Sequence, residues 1–251
     1  MIKLEHVVLA SPEQMEFIIE GMHNSMNSWE KSDSGCGCDS DLCSDPCVFS
    51  PEWCGNTPKY ILGENDRSLM QRLFNAGIER RKYMRMMPVY VRIAAPLYWW
   101  KEFDTYKVGT VANSCCTMQT IAEKEFTIED FSTEHLSEVS IKILARTAYT
   151  LNFWRGAFNC KNNEERNLYF ANSDWNCTYV PTNEDCWWQM IQLLPSSYNQ
   201  TRNVMMNYEV LANIYKSRKN HKLDEWREFC KWIEILPYSE LIVRGEKKDE
   251  M

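Results

Sequence analysis

Apolar positions recur with two different periods along the chain. Residues 2–9 read as a strand, and Ser11-Pro12-Glu13 reads as the opening of a helix. Ser11 can accept from the unpaired N–H groups of a first turn, and Pro12 suits the position where no N–H is needed. Met15, Ile18, Ile19 and Met22 then fall on one helical face. A second amphipathic helix over about residues 68–76 leads to Gly77 as its C-terminal cap. Residues 89–93 alternate as a strand, Pro96 ends it, and an aromatic-rich helix follows over 97–103. Residues 137–155 predict a helix with Val139, Ile143, Leu144 and Ala148 in phase. From about 184 the pattern is helical almost to 236, interrupted at Leu194-Pro195-Ser196-Ser197. The last helix carries Trp226, Phe229, Cys230, Trp232 and Ile233 and stops before Pro237.

Periodicity disappears between residues 30 and 58, where Ser, Asp, Gly, Pro and Cys dominate. The reading is an α+β domain over 1–243 with a helix-rich second half, a Cys-rich insert at 30–58, and a charged tail at 244–251. Within the insert, Cys36, Cys38, Cys43 and Cys47 could hold a structural zinc ion tetrahedrally. Their spacing is not that of a Cys-x2-Cys pair, so a loop with free thiols is the alternative. His6, His23 and His135 stand isolated in the sequence and are read as surface or core residues.

The chain is 44% apolar and 25% charged, which is the composition of an ordered globular protein. Its net charge of −7 argues against broad nucleic-acid binding but leaves room for a small anionic substrate held by a few focused cations. The first residues lack a secretory pattern, and no window approaches about 18 uninterrupted apolar residues, so neither export nor a membrane span is expected. A cytoplasmic setting fits the odd count of eleven cysteines, which speaks for thiols or metal ligands over a disulfide framework.

Three stretches point to chemistry. Leu194-Pro195 is followed by Asn207, Leu211, Asn213 and Arg218, then by His221 and Glu225. Continuous helical spacing would put Asn207, Leu211, Ile214 and Arg218 on one face, with Asn213 near its edge. Residues 93–103 read Ile-Ala-Ala-Pro-Leu-Tyr-Trp-Trp-Lys-Glu-Phe and lead into residues 105–117. The opening strand and helix, with the helix ending at Gly77, form the third. Together these stretches resemble the flavin-dependent thymidylate synthases. That family has Leu-Pro, an Asn-x-Arg-x-Leu-x-Asn/His helix and a Leu-Arg pair. It also has an Ala-Pro-[Ile/Leu]-[Phe/Tyr] segment ahead of the signature Arg-His-Arg-x-x-Ser-x-Asn-Glu-x-Ser-x-Arg.

Laid ungapped from Pro96, the signature retains only Lys107 for its second Arg, Thr110 for Ser, Asn113 for Glu and Cys115 for the second Ser. Its first Arg, its His and its last Arg fall on Thr105, Tyr106 and Thr117, and Glu209 stands where the family helix has an Arg. The family's Gly-His-x-[Ser/Thr] is replaced by Gly77-Ile78-Glu79-Arg80.

The resemblance implies the family fold, a homotetramer with sites where subunits meet, and reductive methylation of dUMP to dTMP. FAD, NADPH and methylenetetrahydrofolate would carry that reaction. It further implies that Lys107, Thr110, Asn207 and Asn213 serve the flavin. Asn113, Ser114, Cys115, Thr117 and Arg218 would serve the nucleotide, with Arg218 as the catalytic residue. Arg202 or Lys101 would have to supply the cation missing at Thr117. The bland reading of Arg218 is a solvated helix arginine beside Lys216 and Lys219, and that of Tyr98-Trp99-Trp100 is core packing. Two rivals follow from the altered signature: another flavin-dependent enzyme modifying C5 of pyrimidine nucleotides, or a non-catalytic nucleotide-binding protein on the same scaffold.

Overall fold

The computed structural model describes residues 1–37, 59–115, 117–173 and 179–243. The predicted opening is present as strand β1 (Lys3–Leu9) and helix α1 (Pro12–His23). Ser11 caps α1 in a reciprocal box with Gln14, and Met15, Ile18, Ile19 and Met22 are buried. A 3-10 turn at Trp29–Lys31 precedes β2 (Gly35–Gly37), which pairs antiparallel with β3 (Lys59–Ile61). Cys38, Cys43 and Cys47 of the suggested zinc set lie outside the described residues, as does the 244–251 tail; Cys36 is exposed on β2.

Helix α2 (Glu64–Asn75) begins earlier than periodicity indicates. It ends as expected: Gly77 takes φ +105°, a left-handed conformation that side chains disfavour, and its N–H donates to the Phe74 carbonyl at 3.3 Å. Short α3 (Tyr83–Met86) leads to β4 (Pro88–Pro96), whose alternate residues Val89, Val91, Ile93 and Ala95 are buried. Pro96 is the cap of α4 (Leu97–Phe103), and Trp99, Trp100 and Phe103 are buried, so the aromatic run is core.

Past this point the structure corrects one predicted helix and adds elements that the periodicity does not announce. Residues 111–114 form strand β5 (Val111–Ser114), all four exposed and therefore without a hydrophobic pattern, followed by α5 (Thr117–Thr120). Helix α6 (Glu138–Phe158) is longer than expected, and its buried face runs through Leu144, Ala148, Leu151 and Trp154, while Val139 and Ile143 are 67% and 64% exposed. The polar α7 (Asn163–Ala171) has no clear periodicity and escapes the sequence reading.

The largest departure follows α8 (Asn183–Leu193). A continuous helix is interrupted by strand β6 (Asn199–Asn207), in which only Val204 and Met206 are buried. Two buried alternate positions among polar residues give too short a period-two signal to be read. Helices α9 (Tyr208–Arg218), α10 (Asp224–Glu234) and α11 (Glu240–Val243) complete the chain.

The larger sheet has the order β1-β4-β6-β5. The chain gathers into two compact units. One comprises Met1–Lys3, Ile93–Thr105 and Asn113–Arg202; the other comprises Leu4–Arg92, Tyr106–Ala112 and Asn203–Met251. In the first, α6 packs against α8 over a core that includes Phe126, Phe131, Leu151, Trp154, Phe170 and Met190. In the second, α9 is surrounded by α3, α10 and α11. Among the described residues no helix is long and apolar enough to cross a membrane.

Candidate functional site

In the second unit, α9 carries the residues at stake, and the correction at β6 changes how they are presented. Asn207 is not a helix-interior residue but the N-cap of α9. Its backbone is extended (φ −135°, ψ 170°), and its Oδ1 accepts the Val210 N–H at 3.0 Å. That bond satisfies a first-turn donor and fixes which way the amide points. The loop before β5 comes up to it. Gly109 sits at φ +78°, and a Cβ there would lie 2.9 Å from Asn207 Nδ2 and 3.1 Å from Val210, so only glycine fits both the backbone and the space. Next to Gly109, the Thr110 Oγ1 is buried with no hydrogen-bond partner among the described residues. Lys107 is exposed.

Arg218 ends α9, where a cation also complements the helix dipole. Its Nε donates to the Tyr106 hydroxyl at 3.0 Å. Its guanidinium carbon lies 4.8 Å from the centre of the Trp226 ring and 5.7 Å from that of Tyr106, while the two rings meet edge-on at 5.9 Å. Trp226 is fully buried, so the guanidinium rests on a fixed aromatic floor. The plain alternative of a solvated arginine does not describe this residue, which is half-buried. Tyr106 occupies the position of the signature's histidine and Trp226 lies on α10. Neither was singled out from the sequence, although the alignment of Tyr106 with that histidine was a usable signal. His221 follows, its ring 6.3 Å from Trp226, with Nδ1 accepting the Leu223 N–H at 3.2 Å. Asn213 is exposed. At about 100° per residue it lies roughly 120° around the helix from the direction shared by Asn207 and Arg218. The three side chains therefore do not form one row.

Glu209, the charge-reversed position, is 6% exposed and receives Arg81 Nε at 3.3 Å and Arg85 Nε on its other oxygen. Its hydrogen bond and charge raise the affinity of Arg85 for its proton. Both arginines follow the Gly77–Arg80 stretch where the family's histidine motif is missing. The charge-reversed Glu209 is thus held in an ion-pair cluster by Arg81, just before α3, and by Arg85 on α3.

In the first unit, Asn113, Ser114 and Cys115 are exposed at the end of β5. The Cys115 N–H donates to the Thr201 carbonyl at 3.3 Å, and its Sγ lies 3.8 Å from Thr120 Oγ1. Gln200 Nε2 donates to Thr117 Oγ1 at 2.9 Å and to the Cys115 carbonyl at 3.3 Å. The Gln200 Oε1 accepts from Arg202 Nε at 2.9 Å, and Arg202 also pairs with Asp104 at 2.7 Å and lies 4.2 Å over the Trp100 ring. Arg202 is thus linked through one amide to Thr117, the position where the signature arginine is lost. Lys101 is exposed.

Among the described residues no group of three or more His, Cys, Asp or Glu could hold a metal ion. No family model matches the sequence, and no curated protein matches it. Solved structures do. Thymidylate synthase X from Helicobacter pylori with FAD and dUMP aligns over 98% of this chain and 99% of its own, with TM-score 0.53 and 16% identity. A second structure of that enzyme with the same ligands gives 0.52 at 16% identity, over 97% and 98% of the two chains. The UMP/dUMP methylase PolB from Streptomyces cacaoi, bound with 5-Br UMP, aligns over 93% of this chain and 88% of its own, with TM-score 0.51 and 9% identity. The chain therefore has the flavin-dependent thymidylate synthase fold, helix-rich in its second half.

Proposed function

We propose that this protein is a flavin-dependent enzyme that modifies C5 of a pyrimidine nucleotide, with reductive methylation of dUMP to dTMP as its reaction. The observation that carries the reading is Arg218, set at the end of α9 on Trp226 with its Nε held by Tyr106. A guanidinium whose plane is fixed in this way can donate paired hydrogen bonds to a uracil edge. It also stabilises negative charge as that charge develops on the ring.

The flavin's isoalloxazine edge presents both donors and acceptors, and the residues around Asn207 suit it. The Thr110 hydroxyl is buried and awaits a partner, the Asn207 amide is fixed by its cap bond, and Gly109 keeps the space beside them clear. Lys107, Thr110, Asn207 and Asn213 are the residues we assign to FAD. Asn113, Ser114, Cys115, Thr117 and Arg218 are assigned to the nucleotide, with Arg202 supplying positive charge behind Thr117 through Gln200. Bound FAD, with NADPH as its reductant, would supply the hydride, and methylenetetrahydrofolate would supply the carbon. The protein's own contribution is orientation and charge stabilisation, which requires no cysteine nucleophile. A homotetramer, as the resemblance implies, would bring the exposed residues 113–115 of one subunit to a shared site. The zinc-bound insert stays a separate proposal that elemental analysis decides.

A second reading keeps the chemistry and changes the nucleotide. The PolB likeness and the uncharged Thr117 favour an enzyme that also takes UMP. Purified protein should turn yellow with FAD and convert dUMP, with NADPH and methylenetetrahydrofolate, to a product heavier by one methylene unit. Parallel reactions with UMP and dCMP separate the two readings. Arg218→Ala should lower kcat/KM by about 100-fold or more. A protein that stays colourless under saturating FAD overturns both and leaves the non-catalytic scaffold.

A further inference from the structure

A second constellation lies in the second unit, remote in sequence from Arg218. His23, the last residue of α1, is 2% exposed, and its Nε2 lies 2.5 Å from Oδ1 of Asp66, which is fully buried on α2. The other ring nitrogen, Nδ1, lies 2.7 Å from the Ser28 hydroxyl. The two oxygens of Asp66 divide their work. Oδ2 accepts from the hydroxyls of Ser32 and Ser34 at 2.8 and 2.6 Å and from the N–H groups of Asp33 and Ser34 at 3.2 Å, anchoring the loop before β2. Oδ1 serves His23. Burial alone would raise the Asp66 carboxyl, but the Ser34, Ser32 and His23 hydrogen bonds outweigh it and hold it below its ordinary value. The group is therefore an anion at neutral pH and can only accept.

This fixes the direction of the chain of hydrogen bonds. With a neutral imidazole, Nε2 carries the proton toward Asp66, Nδ1 keeps its lone pair, and Ser28 is the donor. Ser28 occupies the N-cap position of the 3-10 turn at Trp29–Lys31, where a serine hydroxyl ordinarily accepts a backbone N–H, yet its side chain makes no cap bond. The hydroxyl is turned to the histidine instead. Asn27, immediately before it, sits at φ +48°. Ser28 and His23 line a cleft of about 320 Å³ together with Lys31, Asn65, Ser68 and Arg72.

We propose that Ser28 is a nucleophile activated by His23 and positioned through Asp66, acting on small acyl esters that carry a negative charge. Lys31 and Arg72 are the cations at the cleft that select such a charge. The Ser28 oxygen bonds to the acyl carbon as its proton passes to His23 Nδ1. The ester C–O bond breaks, and the departing alkoxide takes that proton. Water then attacks the acyl-serine, again through His23, releasing the acid and restoring the hydroxyl.

The test uses the full-length protein and a fluorophosphonate, in which the Ser28 Oγ–P bond forms as P–F breaks and fluoride leaves. Peptide mapping should find the adduct on Ser28 at a rate at least tenfold above Ser68, the other serine at the same cleft. Ser28→Ala should remove it, and Ser28→Cys should regain reactivity toward iodoacetamide above that of a Ser68→Cys control. Asp66→Glu should recover part of the labelling lost in Asp66→Asn. Lys31→Ala with Arg72→Ala should raise KM for 4-nitrophenyl hemisuccinate about tenfold more than it raises KM for the uncharged 4-nitrophenyl acetate. Equal labelling of Ser28 and Ser68, or none at Ser28 in protein with an undisturbed thermal transition, overturns the proposal. So does an ester rate unaffected by Ser28→Ala.

Discussion

Two of the regions aligned with the thymidylate synthase family, α9 and β5, differ in how many demands act on each residue. Along α9 nearly every position answers to packing: Tyr208, Val210, Leu211, Ala212, Ile214 and Tyr215 are buried, Asn207 caps the helix, and Glu209 sits in an ion-pair cluster. The strand β5 and Cys115 after it are exposed throughout. Substitution in α9 is felt by the core whatever the protein does. Substitution at Asn113 or Ser114 is felt only by whatever binds there. A family pattern in α9 therefore speaks first of fold, and the altered pattern over 105–117 bears on activity.

That contrast can be broken. Trp226→Ala removes the buried floor beneath Arg218 and should cost about 3–5 kcal/mol, read from the urea midpoint. Glu209→Arg, which puts the family's residue back, places a third cation against Arg81 and Arg85 and should destabilise by roughly 3 kcal/mol. Adding Arg85→Glu should return part of that loss, since the charges are again opposed. A full tolerance of Glu209→Arg would show that the Arg81–Glu209–Arg85 cluster does not hold α9 in place.

A smaller effect concerns alkaline pH. Burial pushes the thiol of Cys230 up to about 12 and that of Cys186 to about 11 from an ordinary 9.0. Both are acids favoured in their neutral form by folding. Their stabilisation is complete below pH 9 and is lost as pH rises through the values held in the folded state. Cys230→Ala should flatten stability between pH 9 and 12, and a disulfide reagent at pH 8 should modify Cys115 well before either buried thiol. Smallest for the fold are Asn113→Ala and Ser114→Ala. They should move stability by no more than about 0.5 kcal/mol while weakening nucleotide binding several-fold by calorimetry. A loss of folding with those two would sink the contrast.

What the sequence revealed follows the same division. The caps at Ser11 and Gly77, the alternation through β4 and the apolar stripe of α10 are local and repeated, and the structure contains them. Strand β6 was missed because only Val204 and Met206 face inward, and its neighbour β5 shows no inward face at all. Missing β6 also misplaced Asn207 inside a helix. The site was less legible than the fold. Arg218 could be named from its register, but its meeting with Tyr106 links positions far apart in sequence, as does that of His23 with Asp66. A histidine that looks isolated in sequence says nothing about the carboxylate another helix will bring to it.

The short ladder of β2 and β3 fixes Gly35 opposite Ile61, Cys36 opposite Tyr60 and Gly37 opposite Lys59. Its effect is to fix Gly37 and Lys59 side by side on the second unit, at a separation that the ladder sets. Between two ends fixed in this way, a flexible chain loses closure entropy only logarithmically with length, about 0.6 kcal/mol for each doubling. The ladder, and not the length of what joins its strands, sets the spacing of these two ends on the unit that carries Arg218.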